Sequence, residues 1–320
     1  MFYNRAKTLL NATVLLIFIQ CCIVNSTLYS QFYFSELTTL KMNKVHEEVK
    51  IIKDLKIKTK KILTFEYKFG IPEKYGKLKN ELNYDRNGNI ILEINYNSGG
   101  SSLYKYQYDK NLNCIEKQIE TKFDSEWEPY LTKYKYSDEN LLLEEISYKK
   151  NGILMNKIIY IYGLYKNLIE KERRDIEGNI TYDRIFVYNN DKRLIKEYDN
   201  LNKSNGVIYF YDENDQLLEE TKTIANDISY LKYRMVYSYD LFGRIVYQIG
   251  YENSGLNESV GLECYYQYNE DGKLIKEHRP EDEEYDITYL YNSNGLLIEQ
   301  TDYNSINEPE KLTKYEYTFY

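Results

Sequence analysis

Histidine stands at only two of the 320 positions, His46 and His278, and neither is followed by a partner at a spacing that would close around a metal ion. His46 lies in a charged N-terminal stretch and His278 follows Lys276-Glu277, so both read as solvated side chains. Of the four cysteines, Cys21 and Cys22 belong to an N-terminal apolar run, Cys114 takes an apolar strand slot, and Cys264 lies just before one. Cys114 and Cys264 read as buried thiols; a disulfide between them would need their Cα atoms within about 7 Å. No glycine-rich phosphate loop and no nucleophile elbow occurs, and Gly70, Gly76, Gly88, Gly99 and Gly100 fall in turns. Carboxylates are abundant, with 50 Asp and Glu. Glycoside hydrolysis needs two of them converging at about 5–10 Å in a cleft. Neighbours such as Glu144-Glu145 and Glu219-Glu220 point to opposite faces of a strand, and their recurrence at one position marks them as solubilising charges. Glu281-Asp282-Glu283-Glu284 carries the hard oxygen ligands that suit calcium, in a spacing that matches no known calcium loop, and reads as a polar loop. The expectation is therefore a chain with no catalytic residues, no metal site and no cofactor.

Tyrosine is the outlier, with 38 copies against 11 Phe and 1 Trp. Stacked rings can form a carbohydrate platform, because the C–H faces of sugars pack on them. They can also be the core, or the cross-strand pairs that hold a sheet in register. Their strict repeat position favours the core. Trp127 differs: it sits off the repeat position in the Asp124–Tyr130 loop, and it is the candidate binding contact together with Tyr130.

These residues are positioned by an internal repeat. Tyrosines at 84, 108, 136, 162, 188, 211, 239, 268 and 291 anchor nine copies, spaced 23 to 29 residues apart. Two residues before each anchor stand Leu82, Tyr106, Tyr134, Tyr160, Phe186, Tyr209, Tyr237, Tyr266 and Tyr289. Six and seven residues after it come apolar pairs, from Ile90-Ile91 and Cys114-Ile115 to Leu274-Ile275 and Leu297-Ile298. Tyr315-Glu316-Tyr317 is a closing half copy. Each Tyr-x-Tyr puts two rings on one strand face, a polar turn follows, and the apolar pair opens the return strand, so each copy reads as a β-hairpin. The fourth place after the anchor holds Gly88, Gly243, Gly272 and Gly295, with Asn140 and Asp215 in two more copies, as a type I turn closed by a left-handed residue demands. Leu112, Lys166 and Lys192 occupy the same place and predict shifted turns.

The segments between copies, such as Asn97–Ser102, Asn202–Gly206 and Asn307-Glu308-Pro309, are also rich in turn formers. Turns at both ends of every strand predict an all-β fold: an antiparallel meander of repeated hairpins forming a long twisted or curled, solenoid-like sheet. Length variation collects in the inter-copy loops, so that edge is the expected binding edge. The domain reading is 1–26 signal peptide, 31–69 N-terminal cap and 70–320 hairpin repeats. The cap is expected to carry strand runs near Glu47–Ile57 and Lys61–Phe69.

The N-terminus has Arg5 and Lys7 ahead of an uncharged run from Leu9 to Val24, the form of an export signal. Cleavage after Ser26 or Ser30, lipidation at Cys21 or Cys22, and a retained anchor all remain open; cleavage fits best, because Gln20 suits lipidation poorly and the run is short for a membrane span. The net charge is −8 with Lys and Glu interleaved, and no basic stripe argues for nucleic acid.

Tyr84-Asp85-Arg86-Asn87-Gly88-Asn89, Tyr211-Asp212 and Tyr239-Asp240-Leu241-Phe242-Gly243-Arg244 resemble the YD repeat of the RHS family, over roughly residues 65–320. The resemblance implies a long antiparallel β-strip that curls or spirals, as in bacterial toxin shells and cell-surface proteins. Toxin-enclosing members carry an Asp-Pro-x-Gly self-cleavage motif; this chain has no Asp-Pro pair, so only the scaffold resembles the family. The functional expectation is an exported (secreted, periplasmic or cell-surface) non-enzymatic protein that binds a partner protein or glycan through its loop edge. A purely structural envelope element and a polysaccharide hydrolase are the alternatives. An outer-membrane barrel is disfavoured, because charges on consecutive residues such as Lys196-Glu197 leave neither strand face apolar.

Overall fold

A computed structural model of the chain describes residues 49–121, 129–225, 230–254, 257–280 and 285–320. Apart from a helical segment at residues 49–54, these residues form antiparallel strands joined by short turns. The wall runs from β1 (Ile57–Lys68) to β21 (Pro309–Phe319), and its strands pair with their sequence neighbours except where the chain ends meet. There, β1 pairs on one side with β3 (Lys77–Tyr84) and on the other with β21, in a register from Ile57 opposite Phe319 to Glu66 opposite Lys311. Twenty of the twenty-one strands thus make a closed antiparallel barrel, and the two-residue β2 (Ile71–Pro72) only extends β1.

This corrects the expected open meander or solenoid-like sheet. Strand twist accumulates around an antiparallel strip until its first and last strands can meet. The half copy at Tyr315–Tyr317 then lies against β1, and the free edges that an open strip would expose disappear. Tyr320 secures the join: its backbone N–H donates to the Lys56 carbonyl at 2.9 Å and its hydroxyl donates to the Tyr84 carbonyl.

Alternation along each strand gives the wall two unlike faces. Side chains converge on the inside of a closed ring and diverge on the outside, so the more buried face is the inner one. That face carries the Tyr-x-Tyr rings and the first residue of each apolar pair. Leu142, Leu168 and Leu217 are 0%, 1% and 0% exposed, whereas their neighbours Leu143, Ile169 and Leu218 are 37%, 36% and 41% exposed. Only the first member of each of these pairs is therefore core. The register explains it: Tyr136 faces Leu142 and Lys135 faces Glu144, so Leu143 is the extra residue of a β-bulge.

Of the strand run expected at Glu47–Ile57, residues 49–54 are helical and Ile57 opens β1, while Lys61–Phe69 does fall largely in β1. Val49, Ile52 and Leu55 recur three apart, a helical spacing. Ile52 is buried in the core cluster, and the segment rests on the Asp85–Asn89 turn: a Cβ on Gly88 would stand 3.3 Å from both Lys53 Cβ and the Val49 carbonyl oxygen.

Candidate functional site

The anchor tyrosines form one hydrogen-bonded series around the inner wall. Each hydroxyl donates to the backbone carbonyl of the first apolar residue in the preceding copy: Tyr108 to Ile90 at 2.6 Å, Tyr136 to Cys114 at 2.9 Å, Tyr239 to Leu217 at 2.8 Å. Tyr162, Tyr188, Tyr211, Tyr268, Tyr291 and Tyr317 follow the same rule. Tyr84, the first anchor, is buried and accepts from Tyr320 through its own carbonyl. Burial raises the Tyr108, Tyr136 and Tyr268 hydroxyls, the last being pushed up to about 12.

A second series joins the earlier aromatic of seven copies, the closing half copy included, to the side chain nine residues after the preceding anchor. Tyr106 donates to Glu93 at 3.2 Å, Tyr209 to Glu197 at 3.1 Å, Tyr237 to Glu220 at 3.1 Å and Tyr289 to Glu277 at 2.7 Å, and Tyr160 donates to Glu145. Tyr266 and Tyr315 use the amide oxygens of Gln248 and Gln300 at 3.1 and 3.3 Å. Lysine takes that position twice: after Lys171 the next copy has Phe186, with no hydroxyl to place, whereas after Lys117 the next copy keeps Tyr134, which stands outside this series. Glu145 and Glu220 are thus structural acceptors, a correction to their reading as solubilising charges. Glu93 is fully buried and accepts from Asn95 Nδ2 at 2.7 Å and Asn80 Nδ2 at 3.4 Å as well as from Tyr106; burial pushes its carboxyl above the usual range.

All nine anchor turns share one conformation. The residue at the fourth place has positive φ in every copy, including Leu112 (66°), Lys166 (61°) and Lys192 (66°), so the shifted turns expected there do not occur. The turn is held by its first residue: in the first copy the Asp85 carboxylate accepts the N–H groups of Asn87 and Asn89 at 2.8 and 2.9 Å, leaving the fourth side chain free to vary.

Trp127, His46 and Glu281–Glu284 lie outside the described residues. Tyr130 is joined to the wall: its N–H donates to the Tyr148 carbonyl at 2.9 Å, its carbonyl accepts from Ile119 at 2.8 Å, and its hydroxyl accepts from Gln118 at 2.5 Å. Cys114 and Cys264 are buried free thiols, and burial pushes Cys114 up to about 12. His278 is partnered rather than merely solvated. Its Nδ1 lies 2.6 Å from Asp286, which also pairs with Lys276, and its ring is 6.0 Å from that of Tyr265. Among the described residues no group of three His, Cys, Asp or Glu could hold a metal ion, and no helix is long and apolar enough to cross a membrane.

One concave feature stands on the anchor-turn rim. Tyr165, Asn167, Tyr188, Asn189, Asn190 and Lys192 line a cleft of about 300 Å³ between two neighbouring turns. Sequence reasoning did not single it out, although two of the three irregular fourth-place residues, Lys166 and Lys192, belong to these turns. The missed signal was Gly163, which stands where the other eight copies have Asp, Asn or Ser.

No family model and no curated protein matches the sequence. Among solved structures, the TcdB2–TccC3–Cdc42 complex matches at 14% identity and a TM-score of 0.43, over 73% of this chain and 14% of that one. The Tc holotoxin pore of Photorhabdus luminescens matches at 14% identity and a TM-score of 0.42, with the same coverage. A porin-like protein from Bacteroides uniformis matches at 9% identity and a TM-score of 0.35, over 82% of this chain and 98% of that one. This chain thus spans only a small fraction of the toxin chains and nearly the whole of the porin-like one. These likenesses are too distant to carry a function, and the barrel rests on its own strand pairing.

Proposed function

We propose that this chain is an exported, non-enzymatic barrel of the cell envelope, in which the repeat wall is scaffold and the turns at its rims meet a protein or glycan partner. The hydrogen-bonded inner wall carries this reading. Copy after copy, a phenol that might otherwise act as an acid donates to a carboxylate that might otherwise act as a base, or to a backbone carbonyl. Groups committed to one another in this way are poorly placed for proton transfer to a substrate. The YD-like repeat, the N-terminal export signal and the interleaved charges agree with an extracytoplasmic scaffold.

Two measurements test the proposal. Purified protein incubated with a panel of envelope and storage polysaccharides is expected to release no reducing ends, and cell fractionation is expected to place it outside the cytoplasm. Turnover that copurifies with the protein, or a cytoplasmic location, would overturn it.

A further inference from the structure

The nine anchor turns are internal controls for one another, and they isolate the cleft at Tyr165. In eight of them the residue after the anchor is Asp, Asn or Ser, and its side-chain oxygen accepts the backbone N–H four residues on, as Asp109 does for Asn113 at 2.9 Å. In the fourth copy that residue is Gly163, and a Cβ there would stand 2.9 Å from Asn167 Oδ1. The missing side chain is the room that Asn167 occupies.

The tip is apolar in two copies only: Leu164 and Tyr165 are 99% and 69% exposed, and Leu241 and Phe242 are 102% and 82% exposed, where the first two copies present Arg86-Asn87 and Lys110-Asn111. Lys192, from the next turn, places its Nζ 4.3 Å from the centre of the Tyr165 ring. Lys166 is neutralised by Glu139 at 3.1 Å and Arg193 by Asp215, whereas Lys192 has no carboxylate partner among the described residues. The side-chain amides of Asn167 and Asn190 and the Tyr165 hydroxyl likewise make no hydrogen bond among the described residues. Tyr188, at the back, is already committed to the Leu168 carbonyl at 2.9 Å.

The cleft therefore offers an exposed ring, uncommitted amides and one uncompensated ammonium within a shallow space of about 300 Å³. An aromatic face packs against the C–H face of a pyranose, amides exchange hydrogen bonds with its hydroxyls, and an ammonium pairs with an anionic substituent. We propose that this cleft is a saccharide site that prefers an acidic sugar. The proposal rests on the binding role given above and moves it from the inter-copy loops to the anchor-turn rim.

The test is an array of uronate, sialylated and sulfated oligosaccharides, each beside its neutral counterpart, followed by titration of the strongest pair against the full protein. An acidic ligand is expected to bind, and its neutral counterpart to bind at least about tenfold more weakly. Tyr165→Ala and Lys192→Gln are each expected to lower affinity about tenfold with an unchanged melting temperature, a loss in keeping with removing one ring or cation contact. Phe242→Ala, at the same exposed place three copies on, is the control and is expected to change nothing. Equal binding of the neutral partner, an equal loss in the control, or no acidic saccharide bound would overturn the site while leaving the non-enzymatic reading intact. Cleavage of a bound saccharide would overturn that reading and leave the site standing.

Discussion

Glu144 and Glu145 are adjacent and chemically identical, yet the wall puts them in different environments. Glu144 faces outward, where Lys135 and Lys157 pair with it at 2.9 and 2.5 Å and hold its carboxyl below the usual range. Glu145 faces inward and accepts the Tyr160 hydroxyl. The same division separates Leu217 from Leu218 and Glu219 from Glu220. Exposed pairs on the outer face, such as Lys135 with Glu144, are each expected to be worth little, while the inner face holds pairs of its own, Arg184 with Glu197 at 2.8 Å and Arg279 with Glu277 at 3.3 Å. The inner face is a continuous layer in which burial turns the same residue types into fixed acceptors and packing units. Charge in this protein is thus read from its face, not from its residue type.

The largest expected contrast concerns packing. Leu217→Ala is expected to cost about 2–5 kcal/mol, whereas Leu218→Ala should stay within about 0.5 kcal/mol of the parent. Urea unfolding of the two variants measures the difference, and equal losses would erase the division between faces. Next come the hydroxyls. Tyr239→Phe removes the donor to the Leu217 carbonyl and is expected to cost about 1 kcal/mol. On the outer face, Lys135→Met should be close to neutral, with whatever small loss it shows vanishing at high salt.

The pH dependence should run in opposite directions on the two faces. Burial raises the Glu93 carboxyl, so the folded chain holds that proton to higher pH than the unfolded chain does. Its contribution is complete below about 4.5 and is lost as pH rises through the folded value. Glu144 is lowered by hydrogen bonds from Lys157 and Lys135, so its contribution is present above about 4.5 and is lost as pH falls. Glu93→Gln should flatten the first limb of a stability-versus-pH curve, and Glu144→Gln the acid limb. A variant that flattens the other limb would reverse the assignment. The smallest effect expected is at a turn: Leu112, at φ 66°, is in the left-handed region, and Leu112→Gly should raise stability by up to about 1 kcal/mol in thermal melts.

Much of this was legible in local pattern. The Tyr-x-Tyr spacing set the strands, and the polar run after each anchor set the turns. The positive φ at Leu112, Lys166 and Lys192 was not read from the sequence, which predicted shifted turns there; Asp109 and Asn189 hold the first and last of these turns, and the Lys166 turn keeps the conformation with Gly163 in that place. Other features were not legible. Nothing in the pair Leu142-Leu143 says which member is buried, because that follows from a bulge in the pairing with Tyr136. Nothing in Glu219-Glu220 says which carboxylate meets a phenol from the next copy. The cleft was hidden because it joins two turns about 26 residues apart (roughly one repeat), brought side by side only by the sheet.

The sequence by itself determined the repeat, its hairpins and the alternation of faces, because each depends on interactions within a few residues. Only the tertiary structure decided that the strip closes, which residues face inward, and where on the rim a cleft opens. Closure joins Thr59 to Thr318, 259 residues apart in sequence. Such a contact depends on twist summed over every intervening strand, and no local pattern records that sum.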